Sequence, residues 1–272
     1  MKKKPLLAGL LILLWILKLA ASENYQAGAR ALALSNAFVS VSDTWSTFHN
    51  QAGLAGLKNF SAGVFYESRF MVDELSHTAG SMVLPIKAGT FGFSFSQFGK
   101  GTYKEHKVGL AFAKSLTKKL NAAIQLDYLS ELYPENDRAM GFATFEAGVV
   151  YAATDELFLG AHIFNPVSGG FDTPSGFQKM PAVFRIGGHY QFPKMVLLTV
   201  ETEKSTENPF VIKSGLEFSP VKNLALRFGV SGKPVQYSAG IGFQTGKLAA
   251  DIGFSYYGNL GLTPSVSIQF IL

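Results

Sequence analysis

The chain contains no cysteine, and only 16% of its 272 residues are charged. Without cysteine there is no disulfide framework, no thiolate metal site and no catalytic thiol. A soluble domain usually carries about a quarter charged residues; here 24 Phe and 28 Gly stand in for much of the missing charge. Beyond residue 22 no stretch approaches the roughly eighteen consecutive apolar residues of a spanning helix. An excess of one charge sign is also lacking once the first residues are set aside. These read MKKKPLLAGLLILLWILKLAAS: three lysines, an apolar core from Leu6 to Leu17, and small residues Ala20, Ala21 and Ser22. That order predicts a secretory signal peptide over residues 1–22, with the mature chain starting near Glu23 and no cysteine there to make it a lipoprotein. Lys2, Lys3, Lys4 and Lys18 belong to it, which leaves 20 of the 24 basic residues against 19 acidic ones. The apparent +5 charge therefore gives no reason to expect a nucleic-acid partner.

What the sequence does contain is alternation with a period of two. LNAAIQLDY puts Leu120, Ile124, Leu126 and Tyr128 on one face and Asn121, Gln125 and Asp127 on the other. NPFVIKSGLEF, NLALRFGVS, PVQYSAGIGFQ and LAADIGFSY repeat the pattern. Such segments are half-buried strands. In a β-sandwich the polar face would carry Lys, Glu and Thr for water; here it mixes Gly, Ser and Gln with single charges, as suits a crowded, hydrated interior. The apolar face is then left to hydrocarbon. Segments of this kind start near Phe60, Ser76, Thr90, Tyr103, Leu120, Ala139, Glu156, Pro181, Val196, Pro209, Asn223, Val235, Leu248 and Thr263. The fold class expected is all-β, a transmembrane antiparallel up-and-down barrel of about fourteen strands over residues 58–272, in contact with outer-membrane lipid of a Gram-negative bacterium.

The connections alternate as well. KAG, TDE, FPK, SPVK and TGK are short, whereas SRFMVDE, LYPENDR, NPVSGGFDTPSGFQK, TEKSTEN and YYGNLGL are longer. Tight periplasmic turns and longer outer loops are the habit of exported barrels, and an even strand number puts both barrel ends on the periplasmic side. The last residues, SVSIQFIL, place Val266, Ile268, Phe270 and Leu272 on one face and resemble a closing-strand signal, although they end on Leu272 rather than an aromatic residue. Tyr256 and Tyr257 are candidates for an aromatic girdle.

By parity the lumen carries Asp127, Glu146, Arg185, Glu201, Glu203, Lys213, Glu217, Arg227 and Asp251, whose mixed signs predict ion pairs bracing the inner wall. His162 and His189 share that face, but neither has a Cys, His or Asp at ligand spacing, so no metal or other cofactor is expected. FGKGT (98–102) lacks the glycine spacing and the Ser or Thr of a phosphate loop, and GVSGK lacks the last glycine of a nucleophile elbow. No enzyme is expected.

One stretch does not alternate: GARALALSNAFVSVSDTWSTFHNQAGLAGL, residues 28–57. It resembles the N-terminal signature of FadL-like outer-membrane proteins of the PorV/PorQ branch, through Gly28, Ala29, Arg30, Ala31, Ala37, Phe38, Val39, Val41, Asp43, Asn50, Ala52, Gly53 and Leu54. Ser35 and Asn36 stand where that signature has glycines, Thr44 where it has a second Asp, and Gln51 where it has proline. The resemblance implies that residues 23–57 fold back as a small hatch inside the barrel, with Gly28, Arg30, Asp43, Asn50, Ala52 and Gly53 as its key residues. A fourteen-strand barrel is too wide for its own side chains to fill, so a plug has a physical purpose. The resemblance implies a role as an accessory of type IX secretion or surface presentation, with secretion proteins or secreted cargo as partners. The alternative is a FadL-like passive conduit for a hydrophobic small molecule.

Overall fold

Strands with one apolar and one polar face have to close on themselves if no sheet edge is to meet lipid, because an unpaired backbone N–H or C=O is costly in hydrocarbon. In the computed structural model, which describes residues 24–101, 103–132, 139–173, 176–193, 195–232 and 234–272, fourteen antiparallel strands do close. The expected signal peptide, residues 1–22, lies outside the described residues. The barrel consists of β1 (Ser61–Ser68), β2 (Ser76–Ile86), β3 (Gly89–Phe98), β4 (Lys104–Ser115), β5 (Leu120–Leu132), β6 (Met140–Ala152) and β7 (Leu157–Phe164). It continues, after an excursion described below, with β10 (Val183–Phe192), β11 (Val196–Ser205), β12 (Val211–Val221), β13 (Leu224–Ser231), β14 (Gln236–Thr245), β15 (Leu248–Tyr257) and β16 (Gly261–Ile271). Neighbours in sequence are neighbours in the wall, and the seam pairs Ser61 with Ile271 through Glu67 with Ser265.

The excursion is the connection between β7 and β10, expected as a plain loop. It contains a small separate hairpin, β8 (Gly170–Thr173) with β9 (Gly176–Lys179). Phe171 anchors it, fully buried and edge-on to Phe142 at 4.8 Å, in a cluster with Leu129, Phe164 and Met180. A four-residue strand is too short to show its alternation. One register irregularity falls between Phe218 and Val221; Pro220 lies there and has no N–H to give to the ladder.

Face assignment follows the alternation. Leu126 is 64% and Tyr128 54% exposed, whereas Asp127 between them is 3% exposed. Outward residues along β12 to β16 are large and apolar, Ile212, Phe228, Tyr237, Ile252 and Phe270 among them. Among the described residues no helix is long and apolar enough to cross a membrane; the strands present the apolar surface.

Longer connections gather at one end of the barrel and tight turns at the other, but YYGNLGL is shorter than expected. Tyr256 and Tyr257 both belong to β15, and only residues 258–260 connect it to β16. Adjacent strand residues face opposite ways. Tyr256 points outward and can join a girdle, whereas Tyr257 packs edge-on against Phe70 at 5.7 Å and lines an interior cavity.

Candidate functional site

The residues before β1 form one short helix, α1 (Ala29–Ala33), and two 3-10 turns, Thr44–Phe48 and Gln51–Gly56. Ala29, Ala31, Ala33, Leu34, Phe38, Trp45, Phe48, Ala52 and Leu54 are all essentially inaccessible. They pack against the inward face of the strands. Tyr25 lies at the loop end, its ring stacked 4.3 Å from Phe98, the last residue of β3. From there the chain runs toward the turn end, where Leu54 clusters with Val83, Ala111 and Ala113 before β1 begins.

Lumen glycines give this segment its room. A Cβ at Gly215 would stand 2.7 Å from the Leu34 Cβ, one at Gly229 2.6 Å from the Ser35 nitrogen, and one at Gly253 2.7 Å from the Ala29 oxygen. No Cβ tolerates such approaches, which accounts for the glycine on the polar faces of β12, β13 and β15.

The six residues that the resemblance singles out take the following places. Gly28 has φ +110°, and a Cβ there would press on the Trp45 ring at 2.7 Å. Arg30 donates to both carboxylate oxygens of Glu217 (2.8 Å each) and to Asp43 (3.3 Å). Asp43 caps the first 3-10 turn by accepting from the Trp45 N–H (2.8 Å), while Ser46 Oγ accepts from the Asp43 N–H (3.0 Å). Asn50 caps the second turn through the Ala52 N–H (3.2 Å) and donates to the carbonyls of Val39 (2.7 Å) and of Val149 in β6 (3.1 Å). Ala52 is fully buried, and a Cβ on Gly53 would meet the Val41 oxygen at 2.8 Å.

Three of the four departures from the signature, Gln51, Ser35 and Asn36, have a structural account. Gln51 occupies the first position of a 3-10 turn, where proline needs no N–H partner; the glutamine instead donates to Glu146 at 2.8 Å. Ser35 and Asn36 have φ of 54° and 56°. The Ser35 N–H donates to the Leu32 oxygen (2.9 Å) and the Asn36 N–H to the Ala31 oxygen (2.8 Å), which closes α1 with a Schellman motif. A left-handed backbone costs serine more than glycine, whereas the hydrogen bond from Ser35 Oγ to Ser238 Oγ (3.1 Å) offsets part of that cost. Ser35→Gly is therefore expected to stabilise the seated segment by about 0.5 kcal/mol, read as a higher denaturant midpoint for Trp45 fluorescence. No change, or a loss, would show that the hydroxyl bond outweighs the strain.

Asp127, Glu146, Arg185, Glu201, Glu203, Lys213, Glu217, Arg227 and Asp251 turn inward and meet in three groups. In the first, Arg227 bridges Glu217 (2.6 Å) and Asp251 (2.7 Å), and Arg30 joins it through Glu217. In the second, Arg185 pairs with Glu203 (2.7 Å) and Lys213 with Glu203 (2.8 Å) and Glu201 (3.3 Å). Glu201 also accepts the backbone N–H groups of Phe38 and Val39, both at 2.8 Å. In the third, Asp127 and Glu146 share Lys107, and Glu146 accepts from Gln51 and from His162 Nε2 at 2.8 Å. Lys107 was missed because KEHK hides its alternation; continuing the parity of Gly109, Ala111 and Ala113 one step back finds it. His189 bonds Ser40 (2.9 Å), and His49 of the segment bonds the Ala27 oxygen (2.9 Å). Among the described residues no group of three His, Asp or Glu side chains is placed to hold a metal.

Two cavities flank the segment. The outer one, about 440 Å³ at the loop end, is bordered by Leu32, Ser35 and Asn36 from the segment and by inward residues of β10 to β16. The other, about 200 Å³ at the turn end, is bordered by Arg30, Asp43, Glu217, Arg227 and Asp251. A single turn of α1 thus separates them, with Leu32 on one side and Arg30 on the other.

No protein-family model matches the chain, and no curated protein matches it. Solved structures do. The CymD monoaromatic hydrocarbon channel aligns with a TM-score of 0.69 at 13% identity, over 93% of this chain and 99% of that one. The Pseudomonas putida toluene transporter TodX gives 0.69 at 13%, over 92% and 99%. A Pseudomonas aeruginosa FadL homologue gives 0.60 at 14%, over 90% and 97%. At these identities the likeness establishes the fold. None of the three is described as a PorV/PorQ protein or as a secretion component.

Proposed function

We propose that the chain is a FadL-type conduit of a bacterial outer membrane, passing small molecules with hydrophobic character between the outer cavity and the periplasm, with residues 28–57 as its hatch. The observation that carries this is the pair of cavities on one bore, divided by a buried segment that is joined to the wall by hydrogen bonds and ion pairs but not by strand pairing. A segment held in that way can leave without unzipping the barrel. The names of the similar structures, a hydrocarbon channel and a toluene transporter, support the transport reading. The secretion-accessory reading rests on the residue 28–57 signature alone, and the geometry adds nothing to it.

The test is to evict the segment by one substitution in the wall. Gly229→Leu puts a side chain where Leu34 and Ser35 now sit. The expected variant assembles as a heat-modifiable barrel, shows red-shifted Trp45 fluorescence and conducts ions in planar bilayers. A displaced Trp45 with unchanged conductance would mean that something other than the hatch closes the bore, and the proposal would fail.

A further inference from the structure

The outer cavity is poorly suited to a pure hydrocarbon. Neutral hydrogen-bonding side chains are prominent in its lining: Ser35 and Asn36 on the floor, Ser231, Gln236 and Ser255 on the wall. An occupant without polar atoms would strip water from these groups and leave them only the bonds they make within the protein, Ser231 Oγ to Gln236 Oε1 at 3.3 Å and Ser35 Oγ to Ser238 Oγ at 3.1 Å, and under-satisfied polar groups are costly to bury.

The charged groups argue equally against an ionic occupant. Arg185 and Lys213 both bind Glu203, at 2.7 and 2.8 Å, and Lys213 reaches Glu201 as well. At the mouth Arg69 pairs with Glu67 at 2.7 Å. Among the described residues every cation bordering the cavity, Arg69, Arg185 and Lys213, already has a carboxylate, so an anion would have to compete with it, and a cation would find the carboxylates taken.

An apolar contact surface nevertheless exists on one side. Phe70 and Tyr257 meet edge-on at 5.7 Å, and Tyr25 completes the rim. Phe70 is held with φ +55° and Met71 with φ +59°. Bulky residues rarely adopt left-handed backbone, and where they persist in it the surrounding structure compels them, often at a ligand clamp. Here the Phe70 N–H donates to Thr263 Oγ1 at 3.0 Å, which fixes the ring at the cavity edge.

We propose that the outer cavity binds a neutral amphipathic small molecule, a ring bearing hydroxyl or amide groups. Its apolar face lies on Phe70 and Tyr257, and its polar groups bond Gln236, Ser231 and Asn36. The proposal rests on the conduit reading, since the bound molecule is the one admitted; conductance of Gly229→Leu tests that reading, and ligand choice by the intact barrel tests this one.

Isothermal titration of the purified mature protein with phenyl β-D-glucoside, benzoate and toluene decides the matter. Phenyl glucoside should bind, with benzoate and toluene at least about tenfold weaker. Gln236→Leu and Phe70→Ala should each weaken glucoside binding by about tenfold while Trp45 fluorescence stays unchanged, which shows the segment still seated. Absence of glucoside binding, equal or tighter binding of benzoate or toluene, or variants that bind as well as the parent would each overturn the proposal.

Discussion

Removal of residues 28–57 should yield a barrel that still assembles and shifts on heating but conducts ions in planar bilayers on the order of tenfold better than the intact chain. The barrel should survive because its wall is self-sufficient. Strand pairing continues around the whole cylinder without help from the segment. The inward charges also keep partners within the wall. Glu217 and Asp251 retain Arg227, Glu201 and Glu203 retain Lys213, and Asp127 and Glu146 retain Lys107. None of these buried carboxylates is stranded, and stranding a charge is what usually makes such deletions destructive. The lumen glycines would then border water rather than Leu34 and Ser35. Loss of the heat-modifiable form would show that the segment is needed for closure, and an unaltered conductance would show that it plugs nothing.

The second large effect concerns the outer surface. Leu126 sits in the middle of β5, and its side chain is 64% exposed. If hydrocarbon covers it, Leu126→Arg should cost about 2–4 kcal/mol in a bilayer folding titration, because the guanidinium must be dragged to the midplane. Leu248 is equally apolar and outward, but it opens β15 at the turn end. There the same substitution should cost only about 0–1 kcal/mol, since the head can reach the interface. A depth-independent cost would contradict a membrane-spanning wall. An inward comparison at Ser238 is unsuitable, because Ser238 lies against Ser35 and a long side chain there would push on the segment rather than report on the wall.

The wall was legible because strands have a short period and each step of it is visible in the chemistry. Leu126, Asp127 and Tyr128 alone state which way β5 faces. The β8–β9 hairpin was hidden since four residues do not make a pattern, and Tyr257 was misplaced because a loop boundary off by two residues turns a strand position into a turn. The route of residues 28–57 through the bore could be expected only by resemblance. Their burial depends on Gly215, Gly229 and Gly253, far away in sequence, and nothing local announces that Leu34 will meet them. The same holds for the outer cavity. Gln236 and Tyr257 are register partners across β14 and β15, but Phe70 joins them only because closure brings β1 beside β16. By contrast, the left-handed pair at Ser35 and Asn36 was signalled, since glycines in the resembled signature mark a backbone that asks for them.

The position of Tyr25 at the loop end has a consequence for biogenesis. The residues ahead of α1 finish at the end of the bore far from the start of β1, threaded through a cylinder whose seam pairs β1 with β16. β1 follows directly on that thread, so the seam cannot zip until the thread has been drawn inside or left trailing in the periplasm. Assembly must therefore either wrap the wall around an early, loosely collapsed N-terminus or insert it afterwards through the narrow end. Trp45, which is lodged beside β1, would gain its shelter together with the strand ladder in the first case and distinctly later in the second.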